Sequence, residues 1–157
     1  MYVHKDDPRF PRRKNPRMTH FDYTSANYYF ITICTHNRKC LLGISGQLNT
    51  LGKLVQKGIE NIPLHFPGVQ IDKYVIMPNH IHAIIVLEQQ NVHLSTIIGQ
   101  CKSFVSREVH KTFPDLQLWQ TSYHDHIIRS QGTYEKIWLY IDSNPTNWEN
   151  DCFYNTP

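Results

Sequence analysis

A chain of 157 residues with 40% hydrophobic and 18% charged residues has enough apolar surface for one domain with a real core, which excludes a disordered protein. No run approaches the roughly 20 apolar residues of a membrane span and no apolar stretch follows the N-terminus, so a cytoplasmic protein is expected. Cys34, Cys40, Cys101 and Cys152 form no Cys-x-x-Cys and no regular spacing, which argues against a disulfide framework or zinc ribbon.

The net charge of +3 is unevenly spread. Residues 1–17 hold Lys5, Arg9, Arg12, Arg13, Lys14 and Arg17 against Asp6 and Asp7, a net +4 that leaves the remainder at −1. A basic arm on a near-neutral body suits nucleic acid, because cationic side chains release condensed counterions from phosphates. A solvated tail without a partner has the same composition. The expected division is an arm over residues 1–20, a domain over 21–150 and a short tail over 151–157.

In chain order, the β-branched and aromatic run of residues 28–35 predicts a strand, followed by a polar turn to Lys39. Leu48, Leu51, Val55, Ile59 and Ile62 are spaced 3, 4, 4 and 3, one apolar stripe of a helix that Pro63 and Pro67 should close. Residues 69–77 and 80–87 read as two strands, and the Pro78-Asn79 break between them is short enough for an antiparallel hairpin. Ser95 is the expected cap of a second helix with Ile98, Cys101, Val105 and Val109 on its buried side, ended by Phe113-Pro114. A short strand is expected within residues 118–129, then a last helix capped by Thr133 and running to about Asn144. The order βαββαβ with an extra C-terminal helix predicts an α+β, ferredoxin-like sandwich whose antiparallel sheet is covered on one face.

Chemistry concentrates in two stretches. Along the second hairpin strand His80 and His82 point to one face while Ile81 joins Ala83 and Ile85 on the other. Their side chains stand roughly 6–7 Å apart at their roots, close enough to share a divalent cation through neutral imidazole nitrogens. A strand otherwise built of Ile, Val and Leu has no packing use for two imidazoles, so only a site or a solvent-facing edge explains them. On the last helix Tyr140 and Asn144 are four apart, one above the other at the edge of the stripe made by Tyr134, Ile137, Trp138 and Ile141. Two imidazoles and an amide oxygen would leave open positions for a phosphate oxygen, as in a Lewis-acid site. A phenol one turn away would then lie near that phosphate. Taken alone, Tyr140 also reads as a packing aromatic and Asn144 as a helix C-cap before Pro145.

Three segments in order, Met77-Pro-Asn-His-Ile-His82, Trp119-Gln-Thr-Ser-Tyr-His-Asp-His-Ile-Ile-Arg129 and Tyr140-Ile-Asp-Ser-Asn-Pro145, resemble the single-tyrosine HUH transposases of the IS200-like superfamily. Within that group they look most like the REP-associated tyrosine transposases of bacteria. The likeness spans about residues 9–150. It implies that His80 and His82 bind a divalent metal, Mg²⁺ or Mn²⁺. It also implies that Tyr140 attacks a DNA phosphate, keeping a 5′-phosphotyrosine and releasing a 3′-hydroxyl. Asn144 stands where related transposases supply a third ligand, often glutamine. The implied substrate is single-stranded or hairpin DNA of REP-like palindromes, nicked and rejoined without a nucleotide cofactor by a monomer or homodimer.

Tyr123, between polar neighbours, is the rival nucleophile. Arg12, Arg13, Lys14 and Arg17 in the arm, with Lys102, His126 and Arg129 in the body, are the candidate DNA contacts; His124 and Asp125 are candidates to line the cleft. Two other readings compete: a non-catalytic nucleic-acid binder stacking bases on Tyr28 and Phe30, and a metal-dependent nuclease with no covalent step.

Overall fold

The computed structural model describes residues 27–88 and 92–155. The basic arm, with Arg12, Arg13, Lys14 and Arg17, lies outside the described residues.

Strand β1 (Asn27–Cys34) leads through a 3₁₀ turn at His36–Arg38 into a two-stranded hairpin, β2 (Gly43–Ile44) and β3 (Gln47–Leu48). Helix α1 (Thr50–Glu60) and the single turn α2 (Ile62–His65) follow, then β4 (Val69–Met77), β5 (His80–Leu87), helix α3 (Leu94–His110), β6 (His124–Ile128) and helix α4 (Gln131–Ser143). A 3₁₀ segment, Pro145–Asn150, closes the order. The main sheet runs β4-β5-β1-β6 with every pair antiparallel. This is the βαββαβ arrangement read from the sequence, and the hairpin strands have the expected bounds.

Several boundaries differ for local reasons. Asn49 caps α1, its carboxamide oxygen accepting from the Gly52 amide, which leaves Leu48, expected on the helical stripe, in β3. Pro63 does not close a helix but sits in the first turn of α2, where its missing N–H costs nothing. Helix α3 begins one residue before Ser95, with His93 in the cap position. Ser130 rather than Thr133 caps α4, its hydroxyl accepting from the Thr133 amide.

Strand alternation sorts the sheet into two faces. Tyr29, Ile31 and Ile33 of β1, with Ile81, Ala83, Ile85 and Leu87 of β5, pack against Val55, Ile59, Ile98, Cys101 and Val105 of α1 and α3. The intervening residues, Phe30 and Ile84, meet Ile137, Tyr140 and Ile141 of α4. The sheet is therefore covered on both faces, not one. The apolar stripe of α4 has to bury somewhere, and the second face of β4 and β5 is where it goes.

A one-residue bulge decides how β4 serves both faces. Ile71 pairs with Ile85 and Lys73 with Ile84, so Asp72 is the extra residue and the facing parity switches across it. Before the bulge Val69 and Ile71 face α1; after it Tyr74 and Ile76 do, while Lys73, Val75 and Met77 turn to α4. Asp72 accepts the Tyr134 hydroxyl at 2.6 Å, and Lys73 holds Asp142 at 2.6 Å while lying 3.8 Å over the Trp138 ring. These contacts fix α4 against the strand that runs beside the histidines.

Candidate active site

The alternation within His80-Ile81-His82 sets the site. Ile81 enters the core under α1 and α3, and both imidazoles point to the α4 face. Their rings lie 4.5 Å apart centre to centre. Expected to face an open cleft, they are instead sealed, His80 at 0% exposure and His82 at 2%. Burial pushes the His80 ring well below the usual imidazole range, with repulsion from His82 adding to it, and pushes His82 down to about 3. Both rings are neutral, the state in which imidazole binds a metal.

Hydrogen bonds fix the proton of His80 and favour one placement for His82. The Asn79 amide nitrogen donates to the Arg38 and Phe153 carbonyls, at 3.1 and 2.6 Å. Its oxygen therefore faces His80 Nδ1, 2.8 Å away, and can only accept. The proton of His80 is on Nδ1 and the Nε2 lone pair is bare. His82 Nδ1 lies 2.9 Å from the Thr32 hydroxyl, and a backbone hydrogen bond to Ile31 favours a proton on the same ring. Its Nε2 then accepts the Tyr140 hydroxyl at 3.1 Å.

Helix α4 and the turn after it supply the rest. Tyr140, expected at a half-buried edge, is only 3% exposed and packs edge-on to Phe30 and against the His82 ring. Asn144 is the C-cap residue of α4. The 3₁₀ segment reverses the chain and brings Asp151 back, so that its Oδ2 accepts from Asn144 Nδ2 at 3.0 Å and lies 3.9 Å from His80 Nε2. Burial raises the Asp151 carboxyl above its ordinary range. The Phe153 ring then stacks on the His80 ring with centres 4.5 Å apart, and the Arg38 guanidinium lies over the Phe153 ring, 5.0 Å from its centre.

The donor set is made of lone pairs and a carboxylate with no cationic side chain among them. His80 Nε2 and Asn144 Oδ1 are both buried without a hydrogen-bond partner, although Asn144 lies close enough to favour a proton on His80. Among the described residues, His80, His82 and Asp151 form a group whose ligand atoms lie within 4.8 Å of one another. Lone pairs of two nitrogens, an amide oxygen and a carboxylate crowded together in a dry site repel unless a cation sits among them. The residues fit a divalent ion.

Of the residues singled out in the sequence, His80, His82, Tyr140 and Asn144 come together here. His126 pairs with Phe30 and so lies on this sheet face, two strands from His82; His124 pairs with Thr32 beside it. Arg129 is exposed at the end of β6. Lys102 is elsewhere: it lies on α3, behind the sheet, where its ammonium donates to the Gln120 carbonyl at 2.6 Å. Tyr123, expected to be exposed, is 5% exposed and packs with the α1–α3 core, away from the imidazoles. Asp151, Asn79 and Thr32 escaped the sequence reading. Asp151 stands in no periodic segment; Asn79 was read only as the turn of the hairpin.

Among the described residues no helix is long and apolar enough to cross a membrane. The family described as "Transposase IS200 like" matches residues 23–144. An uncharacterized protein of Haemophilus influenzae is 36% identical over 167 residues, covering 90% of this chain and 93% of its own. Among solved structures, a REP-associated tyrosine transposase bound to a REP hairpin superposes with a TM-score of 0.67 at 21% identity, over 83% of this chain and 73% of that one. A crystal structure from Deinococcus radiodurans R1 gives 0.54 at 19% identity, over 81% of this chain and 97% of that one. These two share the fold. With the family match spanning most of its length, and with strand imidazoles facing a helix-borne tyrosine, this chain belongs to the IS200-like transposase family.

Proposed function

We propose that the protein nicks and rejoins single-stranded or hairpin DNA through a 5′-phosphotyrosine on Tyr140, with a divalent cation held by His80, His82 and Asp151. The observation that carries this reading is the convergence at one buried point of the Tyr140 hydroxyl, two imidazole Nε2 atoms and the orphaned Asn144 oxygen. Asn144 has two roles open to it there, orienting Asp151 through Nδ2 and offering Oδ1 as a further donor.

When bound, Mg²⁺ or Mn²⁺ would supply Lewis-acid polarisation of the scissile phosphate. The rest is done by the chain. The Tyr140 oxygen forms the new bond to phosphorus as the bond to the 3′-oxygen breaks, so the phenol loses a proton and the leaving oxygen gains one. The phosphodiester becomes a phosphotyrosine ester of the same class, so rejoining needs no nucleotide. Asn79 and Thr32 hold the imidazoles with Nε2 inward, and α4 holds the tyrosine in line with them. Tyrosine and histidines come from a single chain, which supports a site that is complete in a monomer. The hairpin carried by the related solved structure supports a hairpin substrate here.

The test is covalent capture. A labelled hairpin oligonucleotide with an unpaired 5′ flank and Mn²⁺ should give a protein–DNA adduct that survives denaturing electrophoresis and maps to Tyr140 by mass spectrometry. Tyr140→Phe should lose adduct and cleavage together, by at least about 1,000-fold given that the nucleophile itself is gone, while Tyr123→Phe keeps both. Cleavage without an adduct would favour water as nucleophile, and binding without cleavage a non-catalytic module.

A further inference from the structure

One lone pair in this site has two claimants. His82 Nε2 accepts the Tyr140 hydroxyl at 3.1 Å, and His82 is also one of the three residues that bring a ligand atom within 4.8 Å of the others. An imidazole nitrogen has a single lone pair, which accepts one hydrogen bond or binds one ion. The ring has no second nitrogen to offer, because Nδ1 is engaged on the β1 side by Thr32 at 2.9 Å. His80 presents the contrast: its Nε2 faces Asp151 Oδ2 at 3.9 Å and accepts no hydrogen bond.

The tyrosine is also held firmly. Its ring packs against His82 with centres 5.1 Å apart and edge-on to Phe30 at 6.2 Å, and the residue is 3% exposed. A hydroxyl in that position cannot simply turn to water while its acceptor is free.

We propose that the metal-free protein stores the Tyr140 hydroxyl on His82, so that cation binding and release of the tyrosine are one exchange at a single nitrogen. The inference rests on the metal reading given above and adds an order to it. The hydroxyl is withheld from DNA until the ion takes Nε2, and it is freed at the moment the ion that would face the phosphate arrives. The exchange moves no electrons and breaks no covalent bond: an O–H···N hydrogen bond is replaced by an N–metal bond, and the hydroxyl keeps its proton.

The consequence is a gain of metal affinity on removing the competitor. Calorimetric titration of the full-length protein with Mn²⁺, and separately with Zn²⁺, should give tighter binding for Tyr140→Phe than for wild type, by about 2- to 10-fold, the worth of one net hydrogen bond. Equal affinities would overturn the exchange. Weaker binding in Tyr140→Phe would overturn it too, by making the phenolic oxygen a metal ligand. A second measurement needs no variant: titrating wild type with Zn²⁺ should give a near-ultraviolet tyrosine difference spectrum that saturates with the calorimetric isotherm, and a flat spectrum through saturation would contradict release. If neither wild type nor Tyr140→Phe binds either ion, the metal reading itself fails; if both bind equally, only the exchange does.

Discussion

Asn79 shows how much one small side chain can decide. Its carboxamide satisfies two backbone carbonyls and the His80 ring, while its own carbonyl accepts both the amide and the hydroxyl of Thr35. Replacing it with leucine keeps the volume and orphans His80 Nδ1 and the two carbonyls in a dry site. Asn79→Leu should lose about 2–3 kcal/mol in chemical denaturation, an orphaned buried group costing about 1–3 kcal/mol. Because the ring is no longer oriented, Mn²⁺ affinity should fall about 10- to 100-fold. Undiminished affinity would mean that packing against Phe153 and Trp148 orients His80 without help. The sequence placed Asn79 correctly in a turn, but a turn asparagine usually points to solvent. Its burial comes from the Arg38 and Phe153 carbonyls, contributed from 41 and 74 residues away.

At the level of elements, the two faces of the sheet are held by different means. On one, α1 and α3 approach so closely that a Cβ at Gly58 would stand 2.6 Å from Val105 Cγ2 and 3.5 Å from Cys101 Sγ. Glycine is unfavourable inside a helix by roughly 0.5–1 kcal/mol relative to alanine, so its presence there reflects this contact. Gly58→Ala should therefore destabilise despite the better helix propensity, by about 1–3 kcal/mol from overpacking. Val105→Ala in the same chain should recover part of that loss. A stabilised Gly58→Ala would show that the helices separate at little cost. On the other face α4 is tied by polar contacts from the bulge in β4, through Asp72 and Lys73. Asp72 inside a strand and Gly58 inside a helix are both visible in the sequence as breaches of local pattern. What each is for depends on the element opposite.

The molecule as a whole divides its charge between the described domain and the arm. We propose that Arg12, Arg13, Lys14 and Arg17 track DNA phosphates beyond the site. Each neutralised phosphate contributes about 0.7–0.9 to the log–log salt slope of binding. Replacing all four with glutamine should flatten that slope for a hairpin oligonucleotide by up to about 3.6, weaken affinity, and leave the metal affinity of the site unchanged. An unaltered slope would remove the arm from the interface. Both imidazoles are sealed under α4 and Phe153, so the proposed cleavage requires that cover to move before a phosphate can reach His80 and His82.

Sequence alone determined what periodicity encodes. Alternation put His80 and His82 on one face of a strand, 3.6-residue spacing gave α3 its buried Ile98, Cys101, Val105 and Val109, and the order of elements gave the ferredoxin-like sheet. These features arise within a few residues of chain, so local composition carries them. Tertiary structure decided which face α4 would cover, how deeply Tyr140 would be buried, and that Asp151 would join the imidazoles. The last depends on a 3₁₀ reversal between Asn144 and Asp151 and on packing against a strand some 70 residues earlier. No period in the sequence records such a return; only the closed fold brings those lone pairs to one point.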